Sequence, residues 1–443
     1  MLTDSQNVIK LPHFGAFEST RIHGSGTDIL ATTRHLERWR EDLDLLKSSG
    51  IVDLRYSVPW HRIEQVPGEY DFSWIDGPME HMRRQRMFPI IDLLHHTSFP
   101  DWLEEGFANP QFPDFYARFV QRFSERYGWA DRITLFNEPL ATTLMCTIIG
   151  AWYPHRTSDE AFVKMAFNVT KAMSAADRIL RKANSRYTCV YIDTCESHQA
   201  DDRRSANWVR LMNDRRFCIL DLLLGAINKY HPIFSWFIQN GLREDDLKWA
   251  EDNRAVPDIL GLDYYPHSEM EWFWSPRRER TDIRWPNRDP RGFFDVAVDY
   301  VNHFQLPVML SETNIRGTVS DRVTWLRFMQ EQTEKLALSG ADVRGFCWYP
   351  SIDSTDWCNL CTRCTNSVDP QGIWYLDEQD SRWTRFPSEL SEWYEKLARG
   401  AATHRDLPAY QFLAPLDHEL SGYVKLMKHW DGWVEAPDVE IAA

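Results

Sequence analysis

Residues 132–139 read RITLFNEP and residues 307–314 read PVMLSETN. Each is a short, mostly apolar run that gives out onto a glutamate, Glu138 in the first and Glu312 in the second. Apolar runs of this length, bounded by polar turns, fit strands buried on both faces. Working outward, similar runs occur at Phe14 to Phe17, Val52 to Ser57, Phe88 to Leu94, Thr188 to Asp193, Ile259 to Asp263 and Val343 to Trp348; with Arg132 to Phe136 and Pro307 to Ser311 they make eight. Helical spacing fills the intervals. Leu36, Trp39, Leu43 and Leu46 form one stripe, with Gly50 where a C-terminal cap belongs. Phe115, Phe119 and Phe123 form another, and Phe162, Met165, Val169, Met173 and Leu180 a third that begins just past Ser158, a candidate N-cap. Amphipathic helices alternating with all-apolar strands predict an α/β fold, a (β/α)8 TIM barrel with long βα loops.

No Gly/Ser or Pro-rich linker, internal repeat or low-complexity tract divides the 443 residues. We therefore read residues 1–400 as a single catalytic barrel and 401–443, with Tyr410, Phe412, Trp430 and Trp433, as an extension packing on it. The connection from Pro266 to Asn302 is long for a βα loop and carries Trp272, Phe273, Trp274, Trp285, Arg277, Arg278 and Arg280, as active-site walls often do.

Composition narrows the function. Lys plus Arg number 50 against 65 for Asp plus Glu, a net charge of -15, with no basic run, which argues against a nucleic-acid partner. The N-terminus lacks the blocks of a signal peptide and no apolar stretch is long enough to span a bilayer, so a cytoplasmic enzyme with no membrane partner is expected. The eight cysteines read as thiols in a reducing compartment. Cys358, Cys361 and Cys364, spaced C-x2-C-x2-C, sit in a loop without the β-hairpin or knuckle setting of a zinc site, so neither metal nor cofactor is expected. Twenty Trp, 16 Tyr and 24 Phe are enough to line a sugar site as well as a core.

In such a barrel the residues just past the C-terminal strand ends carry the chemistry. Strands four and seven lie on opposite sides of an eight-stranded ring, so Glu138 and Glu312 can face each other across a bound molecule. Cleaving a glycosidic bond needs two such carboxyl groups, one protonated to assist the leaving oxygen and one ionised to attack or to activate water.

These residues, with the motifs around them, resemble the family 1 glycoside hydrolases, the β-glucosidase family, in order over most of residues 14 to 380. The resemblance implies Glu138 of TLFNEP as general acid/base and Glu312 of PVMLSETN as nucleophile. In RYSVPWHRI it gives Arg55 the place beside the nucleophile, where a fixed cation favours the ionised carboxylate. In GLDYY it gives Tyr265 the orienting role. Substrate-binding places fall to Asn137 for the sugar 2-hydroxyl, His96 of LLHHTSFPDWL, Trp348 of WYPSIDSTDW as the sugar platform, and Asp356 with Trp357 as the distal pair. DPQGIWYLD resembles the closing segment of the family's barrel.

Departures from the family's pattern fall on the sugar's far side. In ESTRIHG, Arg21 and His23 stand where a glutamine and a glutamate are usual; Asp263 replaces an asparagine, and Asp356 is a methylene shorter than the usual glutamate. Arg21 raises the expectation of an anionic or substituted substrate, unless it pairs with Asp356 or Asp263. The expected activity is retaining, exo-acting hydrolysis of a terminal β-linked sugar. The alternatives are a transglycosidase and a sugar-binding barrel without catalysis.

Overall fold

A computed structural model describes residues 10–377, 379, 380, 382–413 and 420–430. Eight parallel strands close into a ring: β1 (His13–Phe17), β2 (Asp53–Ser57), β3 (Phe88–Asp92), β4 (Arg132–Thr134), β5 (Thr188–Thr194), β6 (Ile259–Asp263), β7 (Val308–Glu312) and β8 (Val343–Cys347), each hydrogen-bonded to its sequence neighbours and β1 to β8. This is the (β/α)8 barrel that the alternating runs predict, with strand starts within a residue of the expected ones.

The covering helices include α1 (His35–Ser48), α2 (Ser73–Arg84), α3 (Phe112–Arg126), α4 (Asp159–Ala183), α5 (Cys218–Leu223), α6 (Phe293–Phe304), α7 (Val319–Leu338) and α8 (Glu389–Ala398). Their ends obey local chemistry. Ser158 Oγ accepts a hydrogen bond from the Ala161 amide at the start of α4, satisfying one orphan donor of the first turn. Gly50 closes α1 with a left-handed φ of 79°, which costs a residue without Cβ nothing. The predicted stripes turn inward: Leu43, Leu46, Phe119, Phe123, Phe162, Met165, Val169, Met173 and Leu180 are all buried, while Phe115 is only partly so.

Two packed layers follow from strand alternation. Phe14, Ala16, Ile90, Val190, Ile192, Met309, Cys347 and Tyr349 pack together inside the ring. The alternate residues, among them Leu54, Tyr56, Ile91, Leu260, Leu262, Val308, Leu310, Phe346 and Trp348, belong to the larger cluster under the helices. Gly261 needs its missing side chain, because a Cβ there would lie 2.6 Å from both Ile192 Cγ1 and Ser311 Oγ.

The long connection after β6 is an antiparallel ribbon, Glu269–Ser275 with Arg280–Arg284, extended by a parallel strand at Ser197–Ala200. Glu269 anchors it: its carboxylate accepts from the Tyr264 hydroxyl at 2.7 Å and the Arg291 and Gly292 amides at 2.7 and 2.8 Å. In the C-terminal segment Tyr410 and Phe412 are buried, and the Tyr410 amide donates to Thr324 Oγ1 of α7 at 2.9 Å. Trp430 is buried too, whereas Trp433 lies outside the described residues. No helix among the described residues is long and apolar enough to cross a membrane.

Candidate active site

Parity along β2 sends Leu54 and Tyr56 outward under the helices and Arg55 to the barrel interior, where it is 1% exposed. Its Nη1 donates to Glu312 Oε1 at 2.5 Å and its Nη2 to Asn137 Oδ1 at 2.6 Å, with Asp92 Oδ2 at 3.4 Å. One guanidinium thus spans the ends of strands three, four and seven, a fork a lysine cannot reproduce. The other oxygen of Glu312 accepts from the Tyr265 hydroxyl at 2.6 Å.

Glu138 follows β4 in the left-handed region, φ 47°, and caps the helix Pro139–Cys146. Non-glycine residues pay for that conformation, so it persists where the surroundings impose it. Here the Glu138 amide donates to Ile192 O of β5 at 3.0 Å, and Pro139 fixes the next φ. The carboxyl group lands with one oxygen within 4.8 Å of oxygens on Glu312 and Asp263. Burial, then the charges of Glu312 and Asp263, push the Glu138 carboxyl well above its ordinary range, with Arg55 opposing. A proton held at neutral pH is what a general acid needs.

His96 Nε2 stands 3.8 Å from Glu138 Oε2, its Nδ1 paired with Thr142 Oγ1 at 2.9 Å. Trp357 flanks it, ring centroids 5.5 Å apart, and donates through Nε1 to Glu18 at 3.1 Å. Of the residues singled out in the sequence, Glu138, Glu312, Arg55, Tyr265, Asn137, His96 and Trp357 therefore come together.

Three do not. Trp348 is fully buried in the outer layer, its Nε1 donating to Gln371 O at 2.9 Å, so it cannot be a sugar platform. Alternation puts the next residue inside instead: Tyr349 lies parallel to His95 at 5.9 Å and under the Arg55 guanidinium at 4.9 Å. Asp356 is likewise fully buried, and its carboxylate accepts from the Thr365 amide (3.0 Å), the Thr365 hydroxyl and the Asn366 amide (3.0 Å), which makes it the hub of its own loop. Arg21 donates to the Phe99 carbonyl and forms an ion pair with Asp101, a partner different from both carboxylates the sequence suggested. The cysteines do not converge either: Cys361 is buried with Sγ toward Thr355 O, while Cys358 and Cys364 are exposed.

Glu18, His95, Asp92 and Tyr349 carry site geometry the sequence reading passed over. Glu18 follows β1 directly, so the strand-end rule that found Glu138 and Glu312 applied to it equally. It is 3% exposed, accepts from Thr20, Ser354 and Trp357, and stands 3.9 Å from His95 Nε2. His95 is held by Asp92 at 2.6 Å and reaches Tyr349 Oη at 3.2 Å. Burial raises the carboxyls of Glu18 and Asp92 each to about 7 and lowers the His95 imidazole to about 3.

Facing glutamates at the ends of opposite strands of a parallel barrel, with a buried arginine forked between Glu312 and Asn137, fit the glycoside hydrolase class. The family model described as glycosyl hydrolase family 1 matches residues 4–266, more than half of the chain, and the chain belongs to that family. It is similar to the 1,4-beta-D-glucan glucohydrolase of Thermotoga neapolitana, 21% identical over 402 residues covering 82% of this chain and 86% of that protein. It is also similar to the 6-phospho-beta-galactosidase of Staphylococcus epidermidis, 20% identical over 421 residues covering 82% and 87%. Among solved structures, the family 1 β-glucosidase from Thermotoga maritima superposes with a TM-score of 0.74 at 17% identity, covering 89% of this chain and 99% of that one.

Proposed function

We propose that this glycoside hydrolase is an exo-acting, retaining β-glycosidase that removes a terminal glucoside- or galactoside-like sugar by double displacement. Glu138 protonates the glycosidic oxygen while Glu312 attacks the anomeric carbon; Glu138 then takes a proton from the incoming water, whose oxygen displaces Glu312. Arg55 and Tyr265 hold Glu312 by its two oxygens, Asn137 meets the 2-hydroxyl, and His96, His95, Tyr349 and Trp357 line the sugar's flank.

The observation that carries this reading is the approach of the Glu138 and Glu312 oxygens to within 4.8 Å. Closest oxygens this near suit the carboxyl separation of about 5–5.5 Å in retaining enzymes better than the roughly 6.5–9.5 Å that inverting ones leave for a water. The names of the relatives, a glucohydrolase and a β-glucosidase, support the substrate class. Arg21 already pairs with Asp101, which weakens its case for an anionic substrate.

The experiment is hydrolysis of an aryl β-glycoside followed by NMR of the first-formed anomer, with Glu312→Gly in parallel. We expect a β anomer from the native enzyme, no turnover by the variant, and formation of the α-glycosyl azide when azide is supplied. An α anomer from the native enzyme would refute retention.

A transglycosidase reading is favoured by one feature. Tyr265 stacks on His267 at 5.1 Å, and Trp285, 54% exposed, packs edge-on against His267 at 5.8 Å, an aromatic path leading outward from the nucleophile that suits an acceptor. Product analysis with added alcohol or sugar acceptors separates the two.

A further inference from the structure

Away from the catalytic carboxylates, three metal-ligand types converge in the helical layer. Asp221 lies on α5, His231 in the turn that follows, and His303 in the last turn of α6. His303 Nε2 is 2.9 Å from Asp221 Oδ1, and His231 Nε2 is 3.3 Å from Asp221 Oδ2. The three ligand atoms lie within 4.8 Å of one another. Asp221 is 2% exposed, and its Oδ2 has no hydrogen-bond partner although it faces an imidazole. His231 is largely buried and His303 about one-third exposed, so the cluster opens to solvent on the His303 side. Phe217 stacks on His303 at 4.2 Å and 14°, fixing the ring plane so that Nε2 points at the carboxylate.

We propose that Asp221, His231 and His303 form a zinc site, with water in the fourth position, that clips α6 to α5 and the turn behind it. Two imidazole nitrogens and one carboxylate oxygen are a donor set zinc accepts; bonds of about 2.0–2.2 Å in tetrahedral array place neighbouring ligand atoms roughly 3.3 Å apart. The His231 Nε2–Asp221 Oδ2 distance of 3.3 Å equals that value, and His303 Nε2 lies 2.9 Å from the other oxygen, Oδ1, within a small shift of it. A buried oxygen whose one close neighbour is a histidine nitrogen at 3.3 Å, off hydrogen-bonding geometry, is well placed to share a cation with that nitrogen. The two nitrogens bind as neutral imidazoles, each keeping its proton on Nδ1. Because the ligands come from separate segments, the metal stabilises the folded chain over the unfolded one.

The test uses the full chain, freed of metal with a chelator and titrated with ZnCl2, beside His231→Gln, His303→Gln and the double variant. Bound zinc is counted by mass spectrometry, melting is followed with and without zinc, and cobalt(II) is the spectroscopic probe. The expected result is one equivalent of zinc that the double variant lacks, at least tenfold weaker binding in each single variant, a zinc-dependent rise in Tm seen only in the native chain, and tetrahedral cobalt absorption that vanishes with the histidines. Glycosidase activity stays unchanged in all the variants. Equal zinc binding by native chain and double variant would overturn the site, leaving Asp221 as a carboxylate that simply bridges two histidines. So would zinc that inhibits both equally without raising either Tm, since that metal sits on Glu138, Asp263 and Glu312.

Discussion

Asp263 and Glu312 are register partners on adjacent parallel strands, and their carboxyl oxygens lie within 4.8 Å of each other and of Glu138. Ser311 Oγ donates to Asp263 Oδ1 at 2.5 Å, and Asp263 Oδ2 has no hydrogen-bond partner. Three carboxyl groups at this separation do not all ionise readily beside one guanidinium, so negative charge on Asp263 favours the proton on Glu138 that the proposed double displacement needs.

Replacing Asp263 by Asn preserves the shape and removes the charge. Burial, then Glu312, hold the Asp263 carboxyl well above its ordinary range, and Asp263 in turn helps raise Glu138. Activity needs the protonated Glu138, so losing that contribution lowers the pH at which the proton departs. We expect Asp263→Asn to keep kcat near pH 5 within a few-fold and to move the alkaline limb of kcat/KM to lower pH. An unmoved limb would uncouple the two residues.

Arg55 is the cation held against Glu312, Asn137 and Asp92 in the interior. Arg55→Gln leaves a buried carboxylate without its partner, a loss of about 3 kcal/mol or more in stability. It should cost on the order of 10²-fold in kcat by releasing the nucleophile's position. Arg55→Lys restores charge without the fork, and its kcat should remain closer to that of the Gln variant than to native. Urea unfolding and initial rates check both.

Trp348 and Tyr349 make a paired test. Trp348→Phe thins the outer layer and strands the Gln371 carbonyl; it should lower stability by about 1–3 kcal/mol with KM unchanged. Tyr349→Ala removes the ring beside His95 and Arg55 and should raise KM at least tenfold with a smaller fall in Tm. A rise in KM from the tryptophan change alone would contradict the assignment of faces.

Glu18 reports on the site through pH. Its carboxyl is raised by burial to about 7 from an ordinary 4.5, so the stability it contributes is complete below 4.5 and is lost as pH rises through 7. Glu18→Gln avoids that loss. The Tm of the variant minus that of the native chain should become more positive between pH 5 and pH 8, and a flat difference would show that Glu18 ionises in the folded chain as readily as in the unfolded one.

The barrel was legible because its signal is periodic: eight apolar runs and the stripes of Leu43 or Phe119 each recur several times, so no single residue had to be right. Glu138 and Glu312 were legible because strand ends fix where the chemistry goes, while Arg55 and Tyr265 came from the resemblance of their motifs to the family's. Trp348 failed for a reason of the same kind. Matching aromatic residues ignored that strand faces alternate, and a shift of one residue exchanges interior for exterior. Arg21 failed because its partner, Asp101, is 80 residues away in a loop that no periodicity announces. Asp356 shows the opposite problem: whether a carboxylate faces a cavity or caps its own loop depends on backbone donors that sequence does not display.

Tyr394 of α8 gives the ring an unusual clasp. Its hydroxyl donates to Phe14 O of β1 at 2.7 Å and accepts from the Trp348 amide at 3.1 Å, just where the first strand meets the last. A chain made from its N-terminus therefore cannot fasten this seam until residue 394 has left the ribosome. For most of synthesis β1 is an open edge, able to pair with a neighbouring nascent chain.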